Sequence, residues 1–168
     1  MDASPWGFGA VLIVDGRPLE WFAIWIADLD VEVLSTPRGS CDGQQVWEAL
    51  VLLIAVRLWL RLWANSRAHL QLVSDNVAAL SLAGQLKGDG ARRIIAKELA
   101  LTYAQAAFEP DLLTHLPGVY NVTPDTLSRR YQPGKTWSVP DLLTKVPEAK
   151  VPDRTLSWWR SLDISTSS

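Results

Sequence analysis

The sequence lacks a second thiol: Cys41 is its only cysteine, so no disulfide can form within the chain. Long apolar runs are also absent. The longest, Ala49 to Val56, ends at Arg57, whereas a membrane-spanning helix needs about 20 apolar residues. No signal-peptide pattern opens the chain, because Met1 is followed at once by an acidic residue. We therefore expect an intracellular protein, cytoplasmic or nuclear, with no membrane partner.

Neither basic nor acidic residues are in strong excess in the sequence. The formal net charge is -2 over 168 residues, so any basic surface for nucleic acid must be local. With 48% hydrophobic residues the chain can bury the core of one domain. Prolines become frequent after Arg130. We predict a domain over residues 1–130 and an extended tail or linker over 131–168, whose tryptophans fit a connection to a following domain.

Hydrophobic periodicity predicts a β-hairpin followed by alternating helices and strands. The dipeptide Asp15-Gly16 is the strongest turn signal. A long loop with at most one short element is expected over 27–43. The predicted strands are 6–14, 19–26, 70–75 and 111–116, and the predicted helices are 44–64, 76–86, 91–107 and 124–130. This order indicates an α/β layer fold.

Four acidic residues stand where predicted elements begin or end. Asp75 closes an apolar strand, the position at which α/β sheets carry their chemistry. Glu48 lies in an otherwise apolar helix, so its charge must face a wet or metal-filled edge. Asp2 precedes the hairpin, and Asp125 lies in the last helix. A cap or a surface position explains any one of them, but the four together predict a shared site.

The acids belong to an ordered series of motifs: Asp2-Ala3-Ser4, Gly7 to Leu12, Glu48, Ser74-Asp75-Asn76, His115 to Gly118, Asn121, and Asp125 to Arg129. Over residues 2 to 130 this series resembles the ribonuclease H domain that follows the reverse transcriptase in retrotransposon and retroviral polyproteins. The spacing of His115 and Asp125 is similar to that of the family's mobile histidine and fourth acid. Single motifs are weak, but the ordered set is fairly specific.

The resemblance implies a ribonuclease H-like three-layer fold, with a mixed β-sheet flanked by helices. Because only Met1 precedes Asp2, it also implies that the first central strand is missing and that the isolated chain has little or no activity. The implied reaction is endonucleolytic hydrolysis of the RNA strand of RNA–DNA hybrids, with the upstream reverse transcriptase domain as a partner. Two Mg²⁺ ions, or Mn²⁺, would be bound by Asp2, Glu48, Asp75 and Asp125, and His115 would aid proton transfer or product release.

Further polar residues are candidates for nucleic-acid contacts. Gln44 and Gln45 can hydrogen-bond groove edges and ribose hydroxyls, although they are equally explained as ordinary polar residues of a helix start. Lys87, Arg92 and Arg93 form the better basic group for phosphates, with a solvated helix face as the alternative. The resemblance adds three more candidates: Ser4, Asn76 and Asn121.

Two other functions remain open. The first is a catalytically dead nucleic-acid-binding or spacer module of a retroelement-derived protein, in which the acids are vestigial. The second, less favoured, is an integrase or transposase core, which commonly uses three acids with the last on a longer helix. The spacing of His115 and Asp125 argues against the second.

Overall fold

The computed structural model describes residues 1–63, 70–106, 112–115 and 121–162, and only the backbone of Leu112, Leu113 and His115. These residues form a mixed α/β structure, in agreement with the predicted fold class; the ribonuclease H-like arrangement stays a prediction. The strands are β1 Asp2–Ala3, β2 Gly7–Val14, β3 Arg17–Trp25, β4 Gln71–Ser74 and β5 Leu112–His115. The helices are α1 Asp28–Leu34, α2 Gln44–Leu58, α3 Leu60–Trp63, α4 Val77–Gln85, α5 Gly90–Ala106 and α6 Val122–Ser128.

The strands form two sheets. β1, β2 and β3 are antiparallel neighbours in that order, while β4 and β5 pair in parallel. The predicted hairpin is confirmed: Asp15 and Gly16 join β2 to β3 with φ angles of 50° and 75°, the left-handed conformation that two-residue hairpin turns require. No helix among the described residues has the length and apolar character needed to cross a bilayer.

The expected loss of the strand at the start of the chain needs correction. Asp2 and Ala3 do form a strand, because Asp2 pairs with Gly9 and Ala3 pairs with Phe8. On its other side, the Met1 nitrogen donates a hydrogen bond of 3.2 Å to the carbonyl oxygen of Val73 in β4. This two-residue strand is therefore the edge of the antiparallel sheet that faces β4, and the ends of β1 and β4 are neighbours.

One prediction about helices is wrong. The helix expected over 44–64 is interrupted at Trp59, whose buried indole packs 5.6 Å from the ring of Phe22 and donates a 2.9 Å hydrogen bond to Glu20. These contacts with β3 hold the chain out of helical geometry. The loop expected over 27–43, with at most one short element, does contain the short helix α1, which begins where Asp30 accepts a hydrogen bond from the Ala27 backbone N–H.

The helix α6 lies directly on the backbone of β2. A Cβ atom on Gly9 would lie 2.4 Å from the Cβ of Leu127 and 2.6 Å from the carbonyl oxygen of Pro124. A side chain on Gly9 would therefore force the helix away. The glycine lets α6 approach closely enough to bring its polar residues to β1.

Residues 131–162, expected as an extended tail, pack against the rest of the chain. Trp159 is fully buried in the main core. Arg154 forms a buried ion pair with Asp30, with an Nη2–Oδ2 distance of 2.7 Å. The Ala149 N–H also donates a 2.7 Å hydrogen bond to the carbonyl oxygen of Trp21. The apolar and polar contacts of this segment were not apparent from its proline content.

Candidate metal centre

Three of the predicted acids converge. Asp2 is in β1, Glu48 lies near the start of α2, and Asp75 directly follows β4. One carboxylate oxygen of each lies within 4.8 Å of the other two. Asp2 and Glu48 are 5% and 4% exposed, whereas Asp75 is half-buried. The adjacent ends of β1 and β4 bring two of the carboxylates together, and α2 brings the third.

The two oxygens of Glu48 have different environments. Oε1 accepts hydrogen bonds from the Ala3 backbone N–H at 3.2 Å and from the Gln44 side-chain amide at 2.8 Å. Oε2 is buried and accepts no hydrogen bond from any described residue. A buried carboxylate oxygen without a partner is costly unless a proton or a cation compensates it. The three carboxylates form the hard oxygen donor set that Mg²⁺ or Mn²⁺ prefers, so the residues fit a divalent cation.

The raised pKa values of two carboxyl groups in the cluster also favour a bound cation. Burial raises the pKa of Glu48 to about 8, and the nearby charges of Asp2 and Asp75 add to this effect. Burial likewise raises the pKa of Asp2 to about 6, although its hydrogen bond with Ser128 opposes the rise. Without a cation, Glu48 therefore holds a proton near neutral pH. A bound divalent cation would replace that proton.

The fourth predicted acid lies beside the cluster but outside it. The Oδ1 atom of Asp125 is 2.9 Å from Nε and 2.7 Å from Nη2 of Arg129, one turn later in the chain. Its charge still contributes to the raised pKa of Asp2. The structure thus brings together three of the four predicted acids and holds the fourth in an ion pair.

The histidine motif is described only in part. His115 ends β5, where its backbone is the register partner of Ser74, one residue before Asp75. Its side chain lies outside the described part of the chain, as do residues 116–118 of the same motif. The role predicted for His115 stays a prediction.

Two candidate nucleic-acid contacts are internal structural residues. Ser4 is buried; its hydroxyl donates to the carbonyl oxygen of Ser128 at 2.7 Å and accepts from the Gly7 N–H at 3.2 Å. Asn121 is buried too, and its amide donates to the carbonyl oxygen of Met1 at 3.2 Å. Both side chains are buried and occupied in holding β1 in place, so neither is exposed to a nucleic acid.

The other polar candidates differ in availability. Asn76 caps α4, because its Oδ1 accepts the Ala79 N–H at 2.9 Å. Gln44 is bonded to Glu48 and to the Ala3 carbonyl oxygen, so it supports the acidic cluster. Gln45, one residue later, is exposed. Of the predicted pair, only Gln45 presents its side chain to a ligand.

The predicted basic group lies at the connection between α4 and α5. Lys87 and Arg93 are exposed, while Arg92 pairs with Asp89 at 2.5 Å. Lys87, Asp89 and Arg92 help to line an open cavity of about 380 Å³. This basic surface is local, as the net charge of the chain requires, and Asp89 neutralises part of it.

One residue of the site was missed by sequence reasoning. Ser128 donates a 2.8 Å hydrogen bond to Oδ2 of Asp2 and so orients the first carboxylate. In the sequence it is marked only as a member of the motif Asp125 to Arg129, three residues after Asp125 and on the same face of a helix, with no role predicted for it. Comparisons of the chain with protein-family models, with curated proteins and with solved structures found no match.

Proposed function

We propose that this chain is a divalent-cation-dependent endonuclease domain of the ribonuclease H type, which hydrolyses the RNA strand of RNA–DNA hybrids. The observation that carries the proposal is the convergence of Asp2, Glu48 and Asp75 from three separate elements within 4.8 Å. The unpartnered buried oxygen of Glu48 supports a cation rather than an incidental cluster. The strand order also supports it, since β1 lies between β2 and β4.

The cation would be Mg²⁺ or Mn²⁺, held by Asp2, Glu48 and Asp75. It would activate water and stabilise the charge on the leaving oxygen. If Asp125 held a second ion, as the motif series implies, it would exchange its partner Arg129 for the metal. An ion pair this exposed is weak, worth about 0.3–0.5 kcal/mol for helix neighbours, so the exchange costs little.

The chain's own residues orient the carboxylates and meet the nucleic acid. Gln44 and the Ala3 N–H hold Glu48, and Ser128 holds Asp2. Exposed Gln45 would contact the minor-groove edges and ribose hydroxyls that distinguish RNA from DNA. Exposed Lys87 and Arg93 would contact phosphates.

The remaining parts of the proposal follow from the motif series. His115 would move a proton or assist product release. The partner would be a reverse transcriptase domain upstream in the same polyprotein, and the setting would be intracellular.

The test is cleavage of a labelled RNA–DNA hybrid by the full chain, in Mg²⁺, in Mn²⁺ and in EDTA. Duplex RNA and duplex DNA serve as substrate controls. The expectation of little or no activity depended on a missing first strand, but β1 is present. We propose instead that the chain cleaves the RNA strand in the hybrid alone, only with a divalent ion, and that Asp75→Asn abolishes cleavage. Asp15→Asn changes an exposed carboxylate in the hairpin turn and should leave cleavage unchanged. Cleavage that survives Asp75→Asn or EDTA would contradict the proposal.

A non-catalytic nucleic-acid-binding module is the second candidate. It is favoured by the pairing of Asp125 with Arg129, which leaves the cluster one acid short of the predicted four. This candidate predicts hybrid binding without cleavage, with an affinity that neither Mg²⁺ nor Asp75→Asn alters. An integrase or transposase core is less well supported, because Asp125 lies on a helix of only 7 residues.

A further inference from the structure

A second cavity lies between the end of α2 and the C-terminal segment. Its volume is about 490 Å³, within the range typical of small-ligand sites. Ile54, Arg57, Leu58 and Arg61 form one wall, and residues between 150 and 160 form the other. Four of the lining residues are cationic and one is acidic: Arg57, Arg61, Lys150, Arg160 and Asp153.

Two of the four cations are already paired. Arg57 is bonded to Glu98, and Arg61 lies 3.1 Å from Glu20. Lys150 and Arg160 form no ion pair with any described carboxylate; the Arg160 guanidinium donates to the neutral amide oxygen of Gln105. Within the described part of the chain, Lys150 and Arg160 therefore keep unpaired positive charges at the cavity wall. Among the lining residues, only Asp153 carries a negative charge that offsets them.

One wall of the cavity is rigid. The Arg57 side chain is only 8% exposed. Its Nε donates to Thr102 at 2.9 Å, its Nη1 donates to the carbonyl oxygen of Trp158 at 2.7 Å, and its guanidinium carbon lies 4.6 Å from the centroid of the Trp158 ring. With its charge paired to Glu98 and its other nitrogens bonded, Arg57 serves as a fixed wall of the cavity, so that little ordering of this wall is needed on binding.

The cavity is separate from the acidic cluster. Arg57 lies nine residues after Glu48 in the same helix, which corresponds to about two and a half turns and about 13 Å. The two residues therefore occupy opposite faces of α2. The cavity is therefore distinct from the carboxylate cluster, and its volume of about 490 Å³ is too small to admit a duplex.

We propose that this cavity binds a small phosphorylated ligand of about nucleotide size, with Lys150 and Arg160 contacting its phosphate groups. Arg and Lys are the side chains that bind phosphate most strongly, through charge-assisted hydrogen bonds. Because the ligand would contact α2, α3 and the C-terminal segment at once, it would also hold that segment against the body. The proposal is independent of the proposed nuclease function.

The test is calorimetric titration of the full chain with sodium pyrophosphate and with ATP, in EDTA to exclude metal-bridged binding at the carboxylates. The charge-removing variant is Lys150→Gln/Arg160→Gln. Its matched control, Lys135→Gln/Lys145→Gln, removes the same charge from exposed lysines that do not line the cavity. Arg57 is left unchanged, because breaking its buried pair with Glu98 endangers the fold. Circular dichroism checks that both variants fold.

We expect saturable binding of pyrophosphate or ATP that weakens at least about tenfold in Lys150→Gln/Arg160→Gln, the effect of losing one charge-assisted hydrogen bond. The control variant and Asp75→Asn should bind as the parent chain does. Absence of binding at millimolar ligand would overturn the proposal, as would equal binding by the parent and the charge-removing variant. Binding of a single-stranded oligonucleotide without binding of pyrophosphate or ATP would also overturn it. A failed nuclease assay alone leaves the proposal standing.

Discussion

The hydroxyl of Ser128 donates a 2.8 Å hydrogen bond to Oδ2 of Asp2, although the two residues are 126 positions apart. The bond joins α6 to the two-residue strand β1. It also opposes the effect of burial on the pKa of Asp2. The geometry of the first carboxylate is therefore set by a helix from the other end of the domain.

Replacing Ser128 with alanine should lower the free energy of unfolding by about 1–2 kcal/mol, because a buried acceptor loses its donor. The pKa of Asp2 should rise further above 6. Urea denaturation measures the first effect and an NMR titration of the Asp2 carboxyl the second. Ser81→Ala, at an exposed position of α4, should change neither. An unaltered Asp2 pKa in Ser128→Ala would show that the hydroxyl does not stabilise the carboxylate.

Adding a methyl group at Gly9 should separate α6 from β2. The new Cβ would lie 2.4 Å from the Leu127 Cβ, and relieving such a contact costs about 1–3 kcal/mol or more. Gly16→Ala is the comparison: it meets no atom within 4 Å, and its positive φ alone costs about 1–2 kcal/mol. Titration with Mn²⁺ should show weaker metal binding in Gly9→Ala but not in Gly16→Ala, because Ser128 no longer reaches Asp2 once α6 is displaced.

The cluster makes stability depend on pH when no metal is bound. The pKa of Glu48 is about 8 in the folded chain against an ordinary value of 4.5. Between these values the unfolded carboxyl loses its proton while the folded one keeps it. The folded state then binds more protons, so stability falls as pH rises through this window and levels off above pH 8.

This pH dependence can be measured by urea denaturation in EDTA at pH 5 and at pH 8. The free energy of unfolding should drop on the order of a few kcal/mol, since each tenfold change in acidity corresponds to about 1.4 kcal/mol. Glu48→Gln should flatten most of the slope, while Asp15→Asn should retain it. A slope of the parent chain that Glu48→Gln leaves unchanged would assign the effect to other groups.

Arg129→Gln should release Asp125 without loss of stability. The pair is exposed on both sides, at 45% and 42%, so its removal should change the free energy of unfolding by no more than about 0.5 kcal/mol. If Asp125 completes a second metal site, Mn²⁺ titration should show tighter binding of a second ion than in the parent chain. Asp125→Asn/Arg129→Gln should lose that gain. Equal second-ion binding in all three proteins would exclude Asp125 as a ligand.

Truncating Trp159 should destabilise the whole domain. Its side chain is fully buried in the main core, and Trp→Ala at such positions costs about 3–5 kcal/mol. Leu156→Ala, at a residue that is 60% exposed in the same segment, should cost less than about 0.5 kcal/mol. Equal and small effects of the two substitutions would mean that residues 131–162 contribute little to the fold.

Local sequence patterns predicted most of the elements. The Asp15-Gly16 turn, the strand before Asp75 and the helix after it follow from backbone preferences and apolar periodicity, which act within a few residues. The isolated charge of Glu48 in an apolar helix also marked it as a candidate, and the structure places it in the cluster with Asp2 and Asp75. Trp59 could not be predicted as a helix break, because its indole is held by Phe22 and Glu20, which are distant in the chain.

In the C-terminal segment, too, local sequence patterns predict the backbone character but not the long-range contacts. Its prolines rule out regular helices and strands, and from this alone it resembles a linker. Its packing depends on single long-range contacts, such as Arg154 with Asp30 and Trp159 in the core. Buried ion pairs and core tryptophans have no periodic signal by which a sequence could reveal them.

The sequence by itself determined which residues are candidates for a shared acidic site: Asp2, Glu48 and Asp75 each stand at an element end or alone on an apolar face, and those positions follow from local patterning. Only the tertiary structure decided which acids meet. Asp2 reaches the cluster because β1 lies beside β4 and Ser128 holds its carboxylate, whereas Asp125 is held by Arg129. Distances between side chains depend on how the sheets and α6 pack together, and that packing is set by long-range contacts that no local pattern encodes.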